Sequence, residues 1–176
     1  MFDLSRADAE LLEEFCRRLL RQAGIDGEQF LRRLQAGESM GAALGLPPGI
    51  TELLYSRACR WFGIGRADRA EPLFRALCIA DGQVGDYWVG LGICLRIRED
   101  LDGARLAFAT AARMRPGWAV PAFHACELAI RSGDLGAAAE EIARFHAAAD
   151  DTIPERMRSE IERMRKALDM RRDRRA

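Results

Sequence analysis

Apolar side chains recur at three- and four-residue spacing through most of the chain, with little of the strict alternation that marks a half-buried strand. The spacing predicts amphipathic helices almost end to end. Between Ser5 and Gln22 the positions Leu11, Leu12, Phe15, Leu19 and Leu20 describe one such face, with Ser5 and Asp8 as candidate caps and Gly24 and Gly27 as stops. Shorter helices follow over Glu28 to Leu34 and Ser39 to Leu44, and then comes the clearest linker in the chain, Leu46-Pro47-Pro48-Gly49.

Beyond that linker the pattern repeats itself. The segments LLYSRACRWFGIGRADRAEPLFRALCIADG, YWVGLGICLRIREDLDGARLAFATAARMRP and AFHACELAIRSGDLGAAAEEIARFHAAA align without a gap at a spacing of about 34 residues, the period of the tetratricopeptide repeat. Each matching position has a packing reason. Ala58, Gly92 and Cys126 supply a small residue where the first helix of each unit is crossed closely; Ala70, Ala104 and Ala138 do the same for the second helix. Phe74, Phe108 and Ile142 follow as large apolar residues. The turn falls at Gly65, Glu99 and Gly133, and a glycine suits the left-handed conformation that ends a helix, so Glu99 is a departure. Pro72 is tolerated only near a helix start, which places that start between Asp68 and Glu71.

The expected architecture is therefore all-α: three tandem repeats, with first helices over 51–63, 86–98 and 119–131 and second helices over 68–80, 102–114 and 136–148. An N-terminal helical segment (1–46) precedes the repeat array (47–150). A C-terminal segment (151–176) begins its helix at Pro154, and its Met157, Ile161, Met164 and Leu168 are spaced to cap the last repeat.

Composition narrows the function. The 176 residues carry 27 basic and 27 acidic side chains, so no global field recruits nucleic acid or an anionic membrane. The basic tail Arg171, Arg172, Arg174 and Arg175 has no interleaved aromatic residues and reads as a solvated terminus. The sequence has no stretch apolar enough to span a bilayer, and MFDLSRADAE lacks the features of a signal peptide; the expectation is a cytoplasmic protein without stable membrane insertion. Five scattered cysteines, with no C-x-x-C, point to small buried hydrophobes rather than a disulfide framework or a zinc site. His124 has only Glu127 at ligand spacing and reads as a packing residue, Glu140 and Glu141 as a solvated pair. There is no phosphate loop and no nucleophile elbow, and GLGIC uses its glycines for helix contact. No enzyme, metal or cofactor is expected.

In a right-handed stack of helix pairs the first helices line the concave side. Their outward positions hold Tyr55, Cys59 and Phe62 in the first unit, Asp86, Val89, Ile93 and Arg96 in the second, and Phe123, Glu127 and Ile130 in the third. A solvated face is polar at such places; this one is largely apolar, as a peptide groove is. Two readings remain open. Tyr55, Phe62, Val89 and Ile93 fit a ligand groove, or a surface covered by the N-terminal helices; for Cys59, Phe74 and Phe108 core packing serves equally well. Trp61 and Trp88 fall at helix-packing positions, and Trp118, in the turn R-P-G-W, has no assignment.

The strings ITELLYSRAC, AEPLFRALCIAD, YWVGLGICLR and PAFHACELAIRSGDLGAAAEEI make the run from Ser39 to Ala149 similar to the class II chaperones of type III secretion, the SycD/LcrH type. The resemblance implies a stoichiometric chaperone that holds an extended N-terminal segment of hydrophobic translocator proteins in the concave groove. By position, Tyr55, Cys59, Phe62, Phe74, Ala80 and Phe108 would match its groove or pockets. It also implies a homodimer formed through the N-terminal helix, for which Leu11, Phe15 and Leu19 are the candidate residues. Cys59, Ala67 and Ala80 are smaller than the residues common there and would widen a pocket. An adaptor that binds a transcriptional regulator through the same groove is the alternative.

Overall fold

A computed structural model describes Glu14, Arg18 and residues 21–173, with side chains as far as Arg171. The candidate dimerisation residues Leu11, Phe15 and Leu19, and Cys16, lie outside the described residues. Helix α1 (Gly27–Gln35) begins where the Asp26 carboxylate accepts from the backbone N–H of Glu28 and Gln29. The short α2 (Met40–Ala43) is capped by Ser39, whose hydroxyl oxygen accepts from the Ala42 N–H.

Three helix pairs follow: α3 (Ile50–Gly63) with α4 (Ala67–Ala80), α5 (Gly85–Ile97) with α6 (Leu101–Met114), and α7 (Ala119–Ser132) with α8 (Leu135–Ala148). Each helix packs on its own partner and on the next unit, as a superhelical array requires. Asp100 and Asp134, one period apart, cap α6 and α8 by accepting from the Gly103 and Ala137 N–H. In the first unit that place holds Arg66, which instead pairs with Asp68 at 2.7 Å. Helix α4 therefore starts at Ala67, earlier than Pro72 suggested. Pro72 consequently sits in the second turn, where it has no hydrogen to give the carbonyl four residues back.

The turns keep the predicted register. Gly65 and Gly133 have φ of 77° and 78°, and Glu99 adopts the same left-handed conformation at 66° despite its side chain. Its carboxylate pairs with Arg131 of the following unit.

The array buries two clusters. One joins the first two units around Ala58, Phe74, Leu77, Leu91, Cys94 and Phe108, with the half-buried Trp61 and Trp88 against its edge. The other joins α7 and α8 to the terminal helix α9 (Glu155–Asp173), whose Ile161 and Leu168 pack with Phe123, Ile142 and Phe145. Aromatic rings and glycines set the closeness of the first cluster. A Cβ at Gly90 would lie 2.3 Å from the Phe74 ring, and one at Gly92 2.5 Å from the Phe108 ring. One period after Gly90 stands His124, and there Phe108 stacks on the imidazole with ring centres 5.5 Å apart. The same inter-unit contact is thus built twice, from phenylalanine on glycine and from phenylalanine on histidine. Among the described residues no helix is long and apolar enough to cross a membrane.

Candidate functional site on the concave face

The first helix of each unit presents the same three positions to the concave side, and their exposure falls along the array. At the first position Tyr55 is half-buried, but Val89 and Phe123 are only 8% and 7% exposed. The second runs from the exposed Cys59 through Ile93 to Glu127, both half-buried; the third from Phe62, 37% exposed, through Arg96 to Ile130. The open apolar surface therefore belongs to the first unit and the beginning of the second.

Tyr55 is the centre of that surface. Its ring lies 5.4 Å from Tyr87 and meets Phe74 edge-on at 6.2 Å. Burial, then the proximity of Cys59 and Asp86, pushes its phenol up to about 12, so it stays neutral and able to donate. Further along, one carboxylate oxygen of Glu127 lies 2.9 Å from His124 Nδ1 and 3.4 Å from Arg96 Nη1. Arg96 Nε is buried without a hydrogen-bond partner among the described residues. The far end of the surface is walled by α9: Phe123, Glu127, Pro154, Arg156, Met157 and Glu160 surround a recess of about 330 Å³.

Four of the candidate groove residues are buried in the free chain, two of them, Phe74 and Phe108, as the core-packing alternative has it. Phe74 and Phe108, 3% and 1% exposed, are core side chains seated over Gly90 and Gly92 and do not line an open groove in the free chain. Val89 is buried on α5, and Phe123 is closed off by the terminal helix, whose cluster it joins. Tyr55, Cys59, Phe62, Ile93 and Arg96 keep surface on the concave side. Cys59 is exposed, contrary to the expectation that the cysteines are buried; Cys78, Cys94 and Cys126 are buried, which pushes their thiols up to about 12, 11 and 11.

Two residues that position the site had no signal in the periodicity. Tyr87 stands at a place held by Leu53 and Pro121 in the other units, so no aromatic pattern announced it. Glu71 looks like a surface acid of α4, yet it is buried, and holds Arg75 at 2.8 Å and Arg98 at 2.6 Å, tying the first unit to the second. Burial alone would raise its carboxyl; the two arginines outweigh that and hold it below the ordinary range. His146 pairs with Glu162 of α9 at 3.2 Å. Among the described residues no three His, Cys, Asp or Glu side chains gather where they would hold a metal ion.

No protein-family profile matches the chain. Among curated proteins it is 29% identical to the chaperone protein SicA of Salmonella typhimurium over 116 residues, 62% of this chain and 70% of SicA. Among solved structures, PcrH, known from Pseudomonas aeruginosa and bound to the chaperone-binding region of PopD, superposes with a TM-score of 0.67 at 28% identity, over 73% of this chain and 97% of PcrH. This chain is similar to the translocator chaperones of type III secretion. SycD of Yersinia enterocolitica, in complex with a peptide of the translocator YopD, shares the fold: TM-score 0.68, 24% identity, 72% of this chain and 98% of SycD. SicA and SycD are named as chaperones, and the two superposed structures share the fold described above.

Proposed function

We propose that this protein is a type III secretion chaperone that binds an extended N-terminal segment of hydrophobic translocator proteins and keeps them soluble and competent for export. The observation that carries this reading is the apolar concave surface of the first two units, in a chain whose relatives PcrH and SycD have been solved with translocator segments bound. Tyr55, Cys59, Phe62 and Ile93 supply the apolar contacts. The Tyr55 hydroxyl supplies a donor for a carbonyl group of an extended segment, which has no internal partners for its carbonyls. Phe74, Val89, Phe108 and Phe123 act from beneath, by fixing the helices that carry this surface.

The mechanism is stoichiometric and takes place in the cytoplasm, with no catalytic step. Burial of ~400 Å² of apolar client surface is worth ~10 kcal/mol gross at about 25 cal/mol/Å². Ordering an extended segment opposes this with a cost of several kcal/mol, which leaves an affinity the export machinery can break. The chain forms a homodimer through Leu11, Phe15 and Leu19, so removal of residues 1–24 leaves a monomer by light scattering; an unchanged mass would refute that part.

The test is co-expression with the two hydrophobic proteins expected to be encoded beside this gene. Each stays soluble and co-purifies with the wild-type chain, and Tyr55→Glu or Phe62→Glu abolishes retention. A client that remains insoluble, or is retained equally by the variants, overturns the reading.

A further inference from the structure

The first unit alone sets a small side chain between two aromatic ones on its concave face. Its three positions hold Tyr55, Cys59 and Phe62, against Val89, Ile93 and Arg96 in the second unit and Phe123, Glu127 and Ile130 in the third. Three small residues, Cys59, Ala67 and Ala80, are candidates for a widened pocket in this part of the chain, and the structure separates them. Ala67 and Ala80 are core residues, 5% and 8% exposed, and Ala80 packs on α2, where a Cβ at Gly41 would stand 3.3 Å from the Ala80 Cβ. Cys59 is exposed, and its thiol is free. The space above it is held open by its neighbours. Tyr55 is kept from swinging across, because its ring is fixed 5.4 Å from Tyr87 and 6.2 Å from Phe74.

The geometry of α3 specifies what fits over the thiol. At a rise of about 1.5 Å per residue, Cys59 stands about 6 Å beyond Tyr55 and about 4.5 Å before Phe62 along the helix. Aromatic pairs attract, beyond the effect of buried area, at ring-centre separations of about 4.5–7 Å, so a ring lodged over Cys59 meets one on each side. The sulfur beneath adds a contact that aromatic rings favour. A branched aliphatic side chain in the same place is held by its area alone. We propose that Cys59 makes the first unit selective for an aromatic side chain of the client segment, which inserts over the thiol between Tyr55 and Phe62. This selectivity rests on the concave surface being the client's site and adds the residue class that the site reads.

The experiment uses the full chain and the N-terminal segment of a translocator encoded beside this gene, as a fluorescein-labelled peptide read by fluorescence anisotropy. Each aromatic, leucine and proline residue of the segment is replaced in turn by alanine. One aromatic replacement is expected to weaken binding to the wild-type chain at least tenfold. Cys59→Phe, which fills the space from the chaperone's side, weakens the unaltered segment at least tenfold and restores the binding of that one alanine peptide. Cys59 is exposed, so the variant keeps the wild-type circular dichroism. If it proves unfolded, the wild-type thiol decides: the bound segment slows disulfide exchange at Cys59, followed by mass spectrometry, at least tenfold, and the alanine peptide at equal occupancy returns most of the free rate. The proposal is overturned, with the groove reading intact, if no aromatic replacement weakens binding, if Cys59→Phe binds the unaltered segment at full affinity, if it rescues a leucine or proline replacement instead of an aromatic one, or if Cys59 exchanges at the free rate in the complex. A segment that does not bind the wild-type chain at all overturns both.

Discussion

Replacing Gly90 by alanine sets two effects of opposite sign against each other. In an isolated helix Gly→Ala stabilises by about 1 kcal/mol. Here the new Cβ would stand 2.3 Å from Phe74 Cε1 and 2.5 Å from Cζ, where ordinary contact begins at 3.4 Å. The ring has no way to retreat, because it is 3% exposed and meets Tyr55 at 6.2 Å. Overpacking of this kind costs about 1–3 kcal/mol, so the net effect is a loss of up to about 2 kcal/mol. The contact joins α4 to α5, so the strain falls between the first two units and displaces Tyr55 relative to Ile93. Urea unfolding followed by circular dichroism measures the first consequence, and client retention measures the second. Phe74→Leu in the Gly90→Ala background, which shortens the intruding side chain, recovers part of the stability. A Gly90→Ala protein more stable than the wild type would show that helix propensity outweighs the contact and would refute this account of the inter-unit packing.

Further outcomes follow from the same structure. Glu71→Gln lowers stability at neutral pH by about 1–2 kcal/mol, at the modest end because both arginines are half-exposed. The folded carboxyl is held low, so its contribution is complete above the unfolded value of about 4.3 and is lost as pH falls through the folded one; acid titration of the melting temperature is therefore shallower in the Gln variant. Glu99→Gly raises stability by about 0.5–1 kcal/mol, because relief of the left-handed strain, about 1–2 kcal/mol, exceeds the entropy the glycine adds to the unfolded chain. Disulfide-exchange reagents label Cys59 rapidly in the native protein, Cys59→Ser removes that phase, and Cys78, Cys94 and Cys126 react only on unfolding.

Much of this architecture was legible before any coordinates, because a repeat reports each packing requirement three times. The six repeat helices begin and end within about one residue of the expected bounds, and the left-handed turn persists at Glu99 although its residue argues against it. The candidate groove was legible in outline only. Periodicity identifies which residues share a helical face, and it groups Tyr55, Cys59, Phe62, Ile93 and Arg96, which keep surface there. It does not report what packs over that face, so Val89 and Phe123 read as open positions although both are buried, Phe123 against α9. Phe74 and Phe108 are ambiguous for a related reason: the glycines that make room for their rings lie 16 residues away on a neighbouring helix, Gly90 after Phe74 and Gly92 before Phe108. Tyr87 and Glu71 occur once each, and a residue that breaks the repeat is invisible to an alignment of the repeats.

The most direct test of the central claim is retention of a hydrophobic translocator by the full chain, with the wild type and the concave variants measured side by side. The account predicts a soluble complex with the wild type, and loss of the client in Tyr55→Glu and Phe62→Glu at unchanged helical content. Retention of the client by both concave variants would contradict it.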